Sequence, residues 1–360
     1  MKIYKIDFLL KVLEVSREEF FQILEEKENA YQIFEISKKG GTRQIYGLDE
    51  KKGKRLKTLQ QRLYRKILSK QPLALSAKGF LKGKSYLSFL EPHIGNDFFL
   101  RLDICDFFGS FSEKLIKRSL ETFIIDEEAK NAVYELCTID GKIPQGAVTS
   151  PVLSNIMFAR FDQRILKYCQ TIEEREYERK KESWINVSLC YTRYADDMLF
   201  SSNFFVFKEN LSFLRMISRI LSEGGFRINR EKTIITEKEL SLNGYVVGKD
   251  IRLSRKKTEK IRRILYCVKD TKTKEYLLDK RIVNDSAELQ KRINRVIDGT
   301  PKSEKTFSNI QEIIWYLAGC RSWIIAILRA EENTGKENKN MKKMVRRIES
   351  LLDALEEIES

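Results

Sequence analysis

The stretch Ile185-Asn186-Val187-Ser188-Leu189-Cys190-Tyr191-Thr192-Arg193-Tyr194 reads as a strand, and after Ala195-Asp196-Asp197 the apolar texture resumes in Met198-Leu199-Phe200-Ser201. Two strand-like runs around a short polar junction predict a hairpin with two acids at its tip. Upstream, Phe98-Phe99-Leu100-Arg101-Leu102-Asp103-Ile104 is another short apolar run, and Asp103 ends it. If the two elements are neighbours in one sheet, three acids distant in sequence meet at one edge. Nucleotidyl transfer needs such a group, because two divalent ions must activate a 3′-hydroxyl and hold a triphosphate. Hard cations such as Mg²⁺ prefer carboxylate oxygens on rigid backbone. An isolated Asp-Asp at a turn is more often solvated than metal-binding, so the surrounding sequence has to decide.

Working outward, residues 8 to 30 and 54 to 70 carry apolar positions at helical spacing (Leu56, Leu59, Leu63, Ile67) on basic faces, with Gly40-Gly41 marking a hairpin between them. Helical texture also spans 112 to 137 and 205 to 223, Phe226 to Ile235 is expected as a strand, and 255 to 360 reads as almost wholly helical. The mixed-charge run from Glu173 to Glu182 is expected as a solvated helix or loop. No repeat of 20 to 50 residues is visible.

Composition narrows the function classes. The 360 residues are 42% hydrophobic, enough to bury a core as one large domain or two to three subdomains. Lys and Arg number 67 against 52 Asp and Glu, a formal charge of +15, which suits a phosphate-neutralising surface. Six scattered cysteines without a C-x-x-C argue against a zinc site or a disulfide framework and for reduced thiols. A single histidine, His93, excludes His-rich metal clusters and argues against Ser-His-Asp or Cys-His chemistry. The charged start, Met1-Lys2-Ile3-Tyr4-Lys5, is unlike a secretory signal, and the apolar region Ile313 to Leu328 is interrupted by Arg321. A cytoplasmic protein without membrane association is the expectation.

Tyr194-Ala195-Asp196-Asp197 resembles the catalytic motif of reverse transcriptases of the retron and group II intron type. Other landmarks follow in order. Leu102-Asp103-Ile104-Cys105-Asp106-Phe107-Phe108 resembles the first palm motif, and Pro144-Gln145-Gly146-Ala147-Val148-Thr149-Ser150-Pro151 begins a stretch like the template and primer motif. Phe226-Arg227-Ile228-Asn229-Arg230-Glu231-Lys232-Thr233 and Leu242-Asn243-Gly244-Tyr245 resemble the next motif and the primer-grip hairpin. The similarity runs from about residue 31 to about residue 265. It implies an α+β right-hand polymerase: fingers over 1–97, a palm with an antiparallel sheet and catalytic hairpin over 98–250, and a helical thumb over 251–360.

The resemblance assigns roles residue by residue. Asp103, Asp196 and Asp197 are the catalytic carboxylates, and with Ile104 they form the set expected around two Mg²⁺ ions, with Mn²⁺ as an alternative. Lys232 matches a lysine that can protonate the leaving pyrophosphate, although an ordinary surface lysine explains it equally well. Phe108 stands where the family places a ring under the sugar of the incoming nucleotide, selecting dNTPs; Phe107 is expected in the core. Gln145 can hydrogen-bond near the nascent base pair, and Gly146 lets the backbone approach it. Lys38 and Arg43, in a hairpin that resembles the fingers clamp, are expected on the triphosphate. Asp106 is expected to be structural or to orient backbone amides. Arg255, Lys256, Lys257, Lys260 and Arg263 resemble a thumb that grips an RNA/DNA duplex.

Departures locate the chain within the family. Phe89-Leu90-Glu91-Pro92-His93 keeps only the histidine of a retron Asn-Ala-x-x-His pattern, and Leu242-Asn243-Gly244 replaces Val-Thr-Gly. The best fit is a compact bacterial enzyme of the retron-like or defence-associated kind. That implies a dedicated non-coding RNA as template, a cDNA product, dNTPs as substrates and an effector protein as a further partner. A template-independent nucleotidyltransferase and a non-catalytic RNA-binding scaffold on the same fold stay open at this point.

Overall fold

The structure, a computed structural model, describes residues 2–38, 41–179, 187–269, 278–298, 307–332 and 338–359. Its architecture is α+β, in two compact units, Met1–Glu239 and Leu240–Ser360.

The first unit opens with α1 (Ile6–Leu13) and α2 (Arg17–Glu25), where the sequence predicts one helix. Glu14 turns the chain into the left-handed region and the Ser16 hydroxyl accepts the Glu19 N–H, so a new helix starts there. The hairpin β1 (Tyr31–Lys38) and β2 (Gly41–Leu48) follows, then α3 (Lys54–Lys66) and α4 (Tyr86–Leu90). β3 (Phe98–Asp103) leads to α5 (Glu113–Leu120) and α6 (Glu127–Cys137). These two also replace a single predicted helix, because Asp126 caps the second through the Ala129 N–H. The long α7 (Ser150–Arg179) carries the start of the mixed-charge run as helix; residues 180–182 lie outside the described residues. β4 (Leu189–Tyr194) and β5 (Asp197–Ser202) form the predicted acidic hairpin, with residues 185–186 of the expected strand outside the described residues. After α8 (Leu211–Ser222), the strand expected over 226–235 is broken: Ile228 makes one bridge to Ile104, Arg230–Lys232 turns as a 3-10 helix, and β6 (Ile234–Glu237) begins only then. The side-chain oxygen of Asn229 accepts the Glu231 N–H, a local bond that competes with strand pairing.

The central sheet has the antiparallel order β4-β5-β3-β6. Alternation gives it two faces. Leu100, Leu102, Met198, Phe200, Leu189 and Tyr191 join the main core, together with Met157, Phe158, Phe161 and Ile165 of α7. The opposite face carries Arg101, Asp103, Asp197 and Thr192, and it is there that the acids emerge.

His93 pins this second face. Thr192 donates its hydroxyl proton to the Phe89 carbonyl, so its oxygen accepts from His93 Nε2 at 2.7 Å; His93 Nδ1 then accepts from Ser201 at 2.6 Å, whose oxygen accepts from Asn96. The neutral imidazole is fully satisfied. Burial, aided by the nearby charge of Lys78, pushes its pKa down to about 3.

The second unit starts with a three-stranded meander, β7 (Leu240–Leu242), β8 (Tyr245–Val247) and β9 (Ile251–Leu253). Leu242 pairs with Tyr245 across Asn243-Gly244, both at positive φ, the two-residue turn that suits the twist of a hairpin. The rest is helical: α9 (Arg255–Cys267), α10 (Lys280–Asn284), α11 (Ser286–Asp298), α12 (Ile310–Glu332) and α13 (Lys339–Glu359). Among the described residues, no helix is long and apolar enough to cross a membrane, and the six cysteines are free thiols.

Between its ordinary pKa of 6.5 and about 3, His93 is protonated in the unfolded chain and neutral in the folded one. Its contribution to stability is therefore complete above pH 6.5 and lost as the pH falls, at about 1.4 kcal/mol per pH unit. Urea denaturation of the parent and of His93→Gln between pH 7 and pH 5 should show a shallower slope for the variant; equal slopes would rule out a buried neutral imidazole.

Candidate active site

The site is built by strand register. Asp103 lies directly across from Asp197 on the neighbouring strand, and the Ile104 N–H donates to the Asp196 carbonyl at 3.1 Å. On its other side, the Asp103 carbonyl accepts from the Asn229 N–H at 2.8 Å, and Cys105 donates to the Arg227 carbonyl at 2.8 Å. The segment that carries Asp103 is thus held from both flanks. Ala195 turns the tip of the hairpin at φ 55°, which lifts Asp196 to the sheet edge.

Asp103, Ile104, Asp196, Phe108, Gln145 and Lys232 all line one cleft of about 760 Å³. Asp197 stands beside it, and Gly146 adjoins Gln145. The Gln145 carbonyl accepts the Tyr46 N–H at 2.7 Å, and Gly146, at φ +113°, lies so close to the Tyr46 carbonyl that a Cβ would collide with it. This contact stitches the loop before α7 to β2. Thr42, Gln44 and Tyr46 of β2 also line the cleft, whereas the side chains of Lys38 and Arg43 lie outside the described residues. Phe107 is buried against Phe111, Phe158 and Phe226, while Phe108 is partly exposed at the cleft with its ring near that of Phe80. Asp106, at φ 41°, is exposed and tucks its carboxylate against Gly109.

Gathering like charges is costly, and cations offset the cost. Lys232 Nζ lies 3.1 Å from both oxygens of Asp103, and Arg101 donates from Nε and Nη2 to Asp197 at 2.9 and 2.5 Å. Burial pushes the Asp197 carboxyl above the ordinary range; Arg101 draws it down, and the charges of Asp196 and Asp103 push it up again. Among the described residues, no three carboxylate, thiol or imidazole groups form a closed metal cage. Mg²⁺ does not require one, since it is commonly held by one or two carboxylates with water and substrate phosphates completing the shell. Carboxylates at the end of the sheet, already attracting a lysine and an arginine, suit a cation of that kind, and Ile104 lines the same cleft.

Sequence reading missed the groups behind the tip. Arg193 and Asp162 are both fully buried and ion-paired at 2.8 Å. Arg193 also donates to the Ala195 carbonyl at 3.1 Å and to Asn155 at 3.0 Å, lies over the Phe158 ring, and shares Asp162 with the Tyr191 hydroxyl. Parity was the available signal: Arg193 has the same sense as Leu189 and Tyr191, the core face. Arg101 shares the parity of Asp103 and was legible in the same way. Lys142, which lines the cleft beyond the tight Asp140-Gly141 turn, carried no such signal.

The five basic residues expected to bind nucleic acid belong to α9 in the second unit. Arg255 and Lys256 are exposed, and Arg263 pairs with Glu259 at 2.6 Å. Lys257 sits on the Trp323 ring, with burial pushing its pKa down to about 8, and Lys260 lies 5.0 Å from the Tyr316 ring centre.

Residues 36–247 match the family described as reverse transcriptase (RNA-dependent DNA polymerase). The chain is similar to the retron Mx65 reverse transcriptase of Myxococcus xanthus, 29% identical over 262 residues that cover 67% of this chain and 56% of that protein. It is also similar to the retron Ec86 reverse transcriptase of Escherichia coli, 27% identical over 255 residues that cover 70% and 74%. The match thus spans little more than half of the first relative. A telomerase structure from Candida albicans aligns over 92% of this chain and 66% of that one, at 11% identity and a TM-score of 0.44.

Arg193→Met strands the Asp162 carboxylate in the core and should destabilise the fold by about 3–5 kcal/mol. Adding Asp162→Leu should recover most of that loss. Urea denaturation of both variants checks this; a single variant as stable as the parent would show that the buried pair does not hold the hairpin.

Proposed function

The chain belongs to the reverse transcriptase (RNA-dependent DNA polymerase) family, and from that premise we propose that it is an RNA-directed DNA polymerase with its active site in the cleft around Asp103 and Asp196. The observation that carries the reading is the cross-strand pairing of Asp103 with Asp197, with Asp196 at the adjoining tip. In the proposed reaction the primer 3′-oxygen attacks the α-phosphorus of a dNTP, the bond to the bridging oxygen breaks, and pyrophosphate leaves. Divalent ions, Mg²⁺ or alternatively Mn²⁺, supply activation of the hydroxyl and charge neutralisation when bound. Asp103, Asp196 and Asp197, with the Ile104 carbonyl, are the residues that would hold them.

The other residues have assignable work. Lys232, already in the cleft, can give its Nζ proton to the departing pyrophosphate as a general acid. The Phe108 ring would meet a 2′-hydroxyl and so favour deoxynucleotides. Gln145 and Gly146 would bring the backbone to the new base pair, and Lys38 and Arg43 would hold the triphosphate. The proposed layout is fingers over 1–97, palm over 98–250 and thumb over 251–360, with Arg255, Lys256, Lys257, Lys260 and Arg263 facing nucleic acid.

The finer reading, a dedicated non-coding RNA as template with a cDNA product and a role in anti-phage defence alongside an effector protein, rests on likeness to retron enzymes. Sequencing the RNA and DNA that co-purify with the protein tests it; a heterogeneous nucleic-acid population would count against a dedicated template.

Asp196→Asn keeps the side-chain shape but removes a charge from the metal set, so primer extension should fall to background while the denaturation midpoint stays near that of the parent. Substantial residual synthesis would overturn the assignment. Phe108→Ala should admit ribonucleotides, raising the efficiency of rNTP use relative to dNTP use by roughly tenfold or more, the scale of one steric contact of about 1–3 kcal/mol. An unchanged ratio in single-nucleotide incorporation would remove the gate role.

A further inference from the structure

We propose that the second unit carries a binding pocket for a single-stranded polynucleotide between α9 and α13. The pocket measures about 440 Å³. α9 contributes Arg262 and Tyr266, one turn apart on one helix face, Lys269 follows two residues past the end of that helix, and α13 contributes Asn340, Lys343 and Arg347, spaced to share one face. Its floor is apolar: Leu265 and Met344 are both buried.

Charge points to a polyanion. Among the described residues, four cationic side chains line the pocket and no carboxylate does. Elsewhere in this unit the basic residues Arg263, Arg292 and Arg321 are paired with Glu259, Glu288 and Glu349 at 2.6 to 3.1 Å. Among the described residues, Arg262, Lys269 and Lys343 have no ion-pair partner of that kind. Three like charges without a carboxylate of that kind, Arg262, Lys269 and Lys343, around one cavity are most easily explained by a ligand that supplies several negative charges.

Shape and polarity narrow the ligand further. Tyr266 is 72% exposed at the rim, so a large aromatic side chain is left to solvent beside an apolar floor. A bare phosphate would use neither. A nucleobase can stack on the tyrosine while its phosphates meet the cations, and the Asn340 amide offers a donor and an acceptor to a base edge. Stacking of that kind needs an unpaired base, which a duplex does not present. The pocket lies on a different face of α9 from Lys257 and Lys260, which lie near the Trp323 and Tyr316 rings. The inference rests on the second unit alone and does not require the polymerase reading.

The test uses the full chain with short oligouridylate and oligothymidylate, each carrying one 5-iodouracil for photocrosslinking. Crosslinks are expected within residues 262–269 or 340–347, and the strand that crosslinks better identifies the ligand as RNA or DNA. By fluorescence anisotropy, Tyr266→Ala should weaken binding roughly tenfold while Tyr266→Phe stays near the parent, as stacking predicts. Arg262→Glu with Lys343→Glu should abolish the crosslink with Tyr266 intact and lower the salt slope by about one to two units. Crosslinks confined to other segments would overturn the proposal. So would a Tyr266→Phe loss equal to that of Tyr266→Ala, or equal displacement by polyglutamate, which would make this a site for acidic peptides.

Discussion

The antiparallel register of β3 against β5 is the constraint on which the rest of the first unit depends. It fixes Asp103 across from Asp197 and, because neighbouring residues alternate between faces, commits Leu100, Leu102, Met198 and Phe200 to the core in the same step. A slip of one residue would turn the carboxylates into the apolar layer and the leucines to solvent. Core burial therefore enforces the register, and the register brings the acids together. The electrostatic cost of that meeting is offset by Arg101 and Lys232 on the same edge, so the site holds its negative charge without spreading the strands.

Behind the acids, the fold invests in rigidity. A fully buried arginine is expensive to desolvate, and Arg193 is tolerated because Asp162, Asn155 and the Ala195 carbonyl absorb its donors while the Phe158 ring covers its plane. Its partners come from the tip itself and from α7, so the hairpin is tied to the long helix that begins just after Gln145 and Gly146. The neighbouring segment is tied in as well: Lys78 donates to the Arg193 carbonyl, and Gly79 lies against Ala195 with too little room for a side chain. The acids and the loop at Gln145 are thereby parts of one packed body, which is what a reaction with strict geometry requires.

The second unit follows a different logic. Its meander and helices bury a modest apolar stripe on each element and leave basic side chains on several faces, some neutralised by glutamates and some stacked on aromatic rings. The cluster between α9 and α13 combines cations, an apolar floor and an exposed ring. That combination distinguishes a ligand pocket from the basic surface expected of any chain carrying a formal charge of +15.

Much of the first unit was legible in the linear chain. The alternation of apolar residues around Asp103 and around Asp196-Asp197 predicted strands ending at acids, the motif order gave the family, and Phe107 and Phe108 separated into core and cleft as expected. Helix breaks at Ser16 and Asp126 and the interruption after Phe226 were misread, since periodicity continues across a cap and only local side-chain bonds to the backbone stop it. The Arg101–Asp197, Arg193–Asp162 and His93–Ser201 contacts, and the pocket shared by α9 and α13, were decided by the tertiary structure alone. Periodicity records which face of an element avoids water, a property of each segment by itself; which buried charge meets which partner depends on how distant segments pack, and no single segment contains that information.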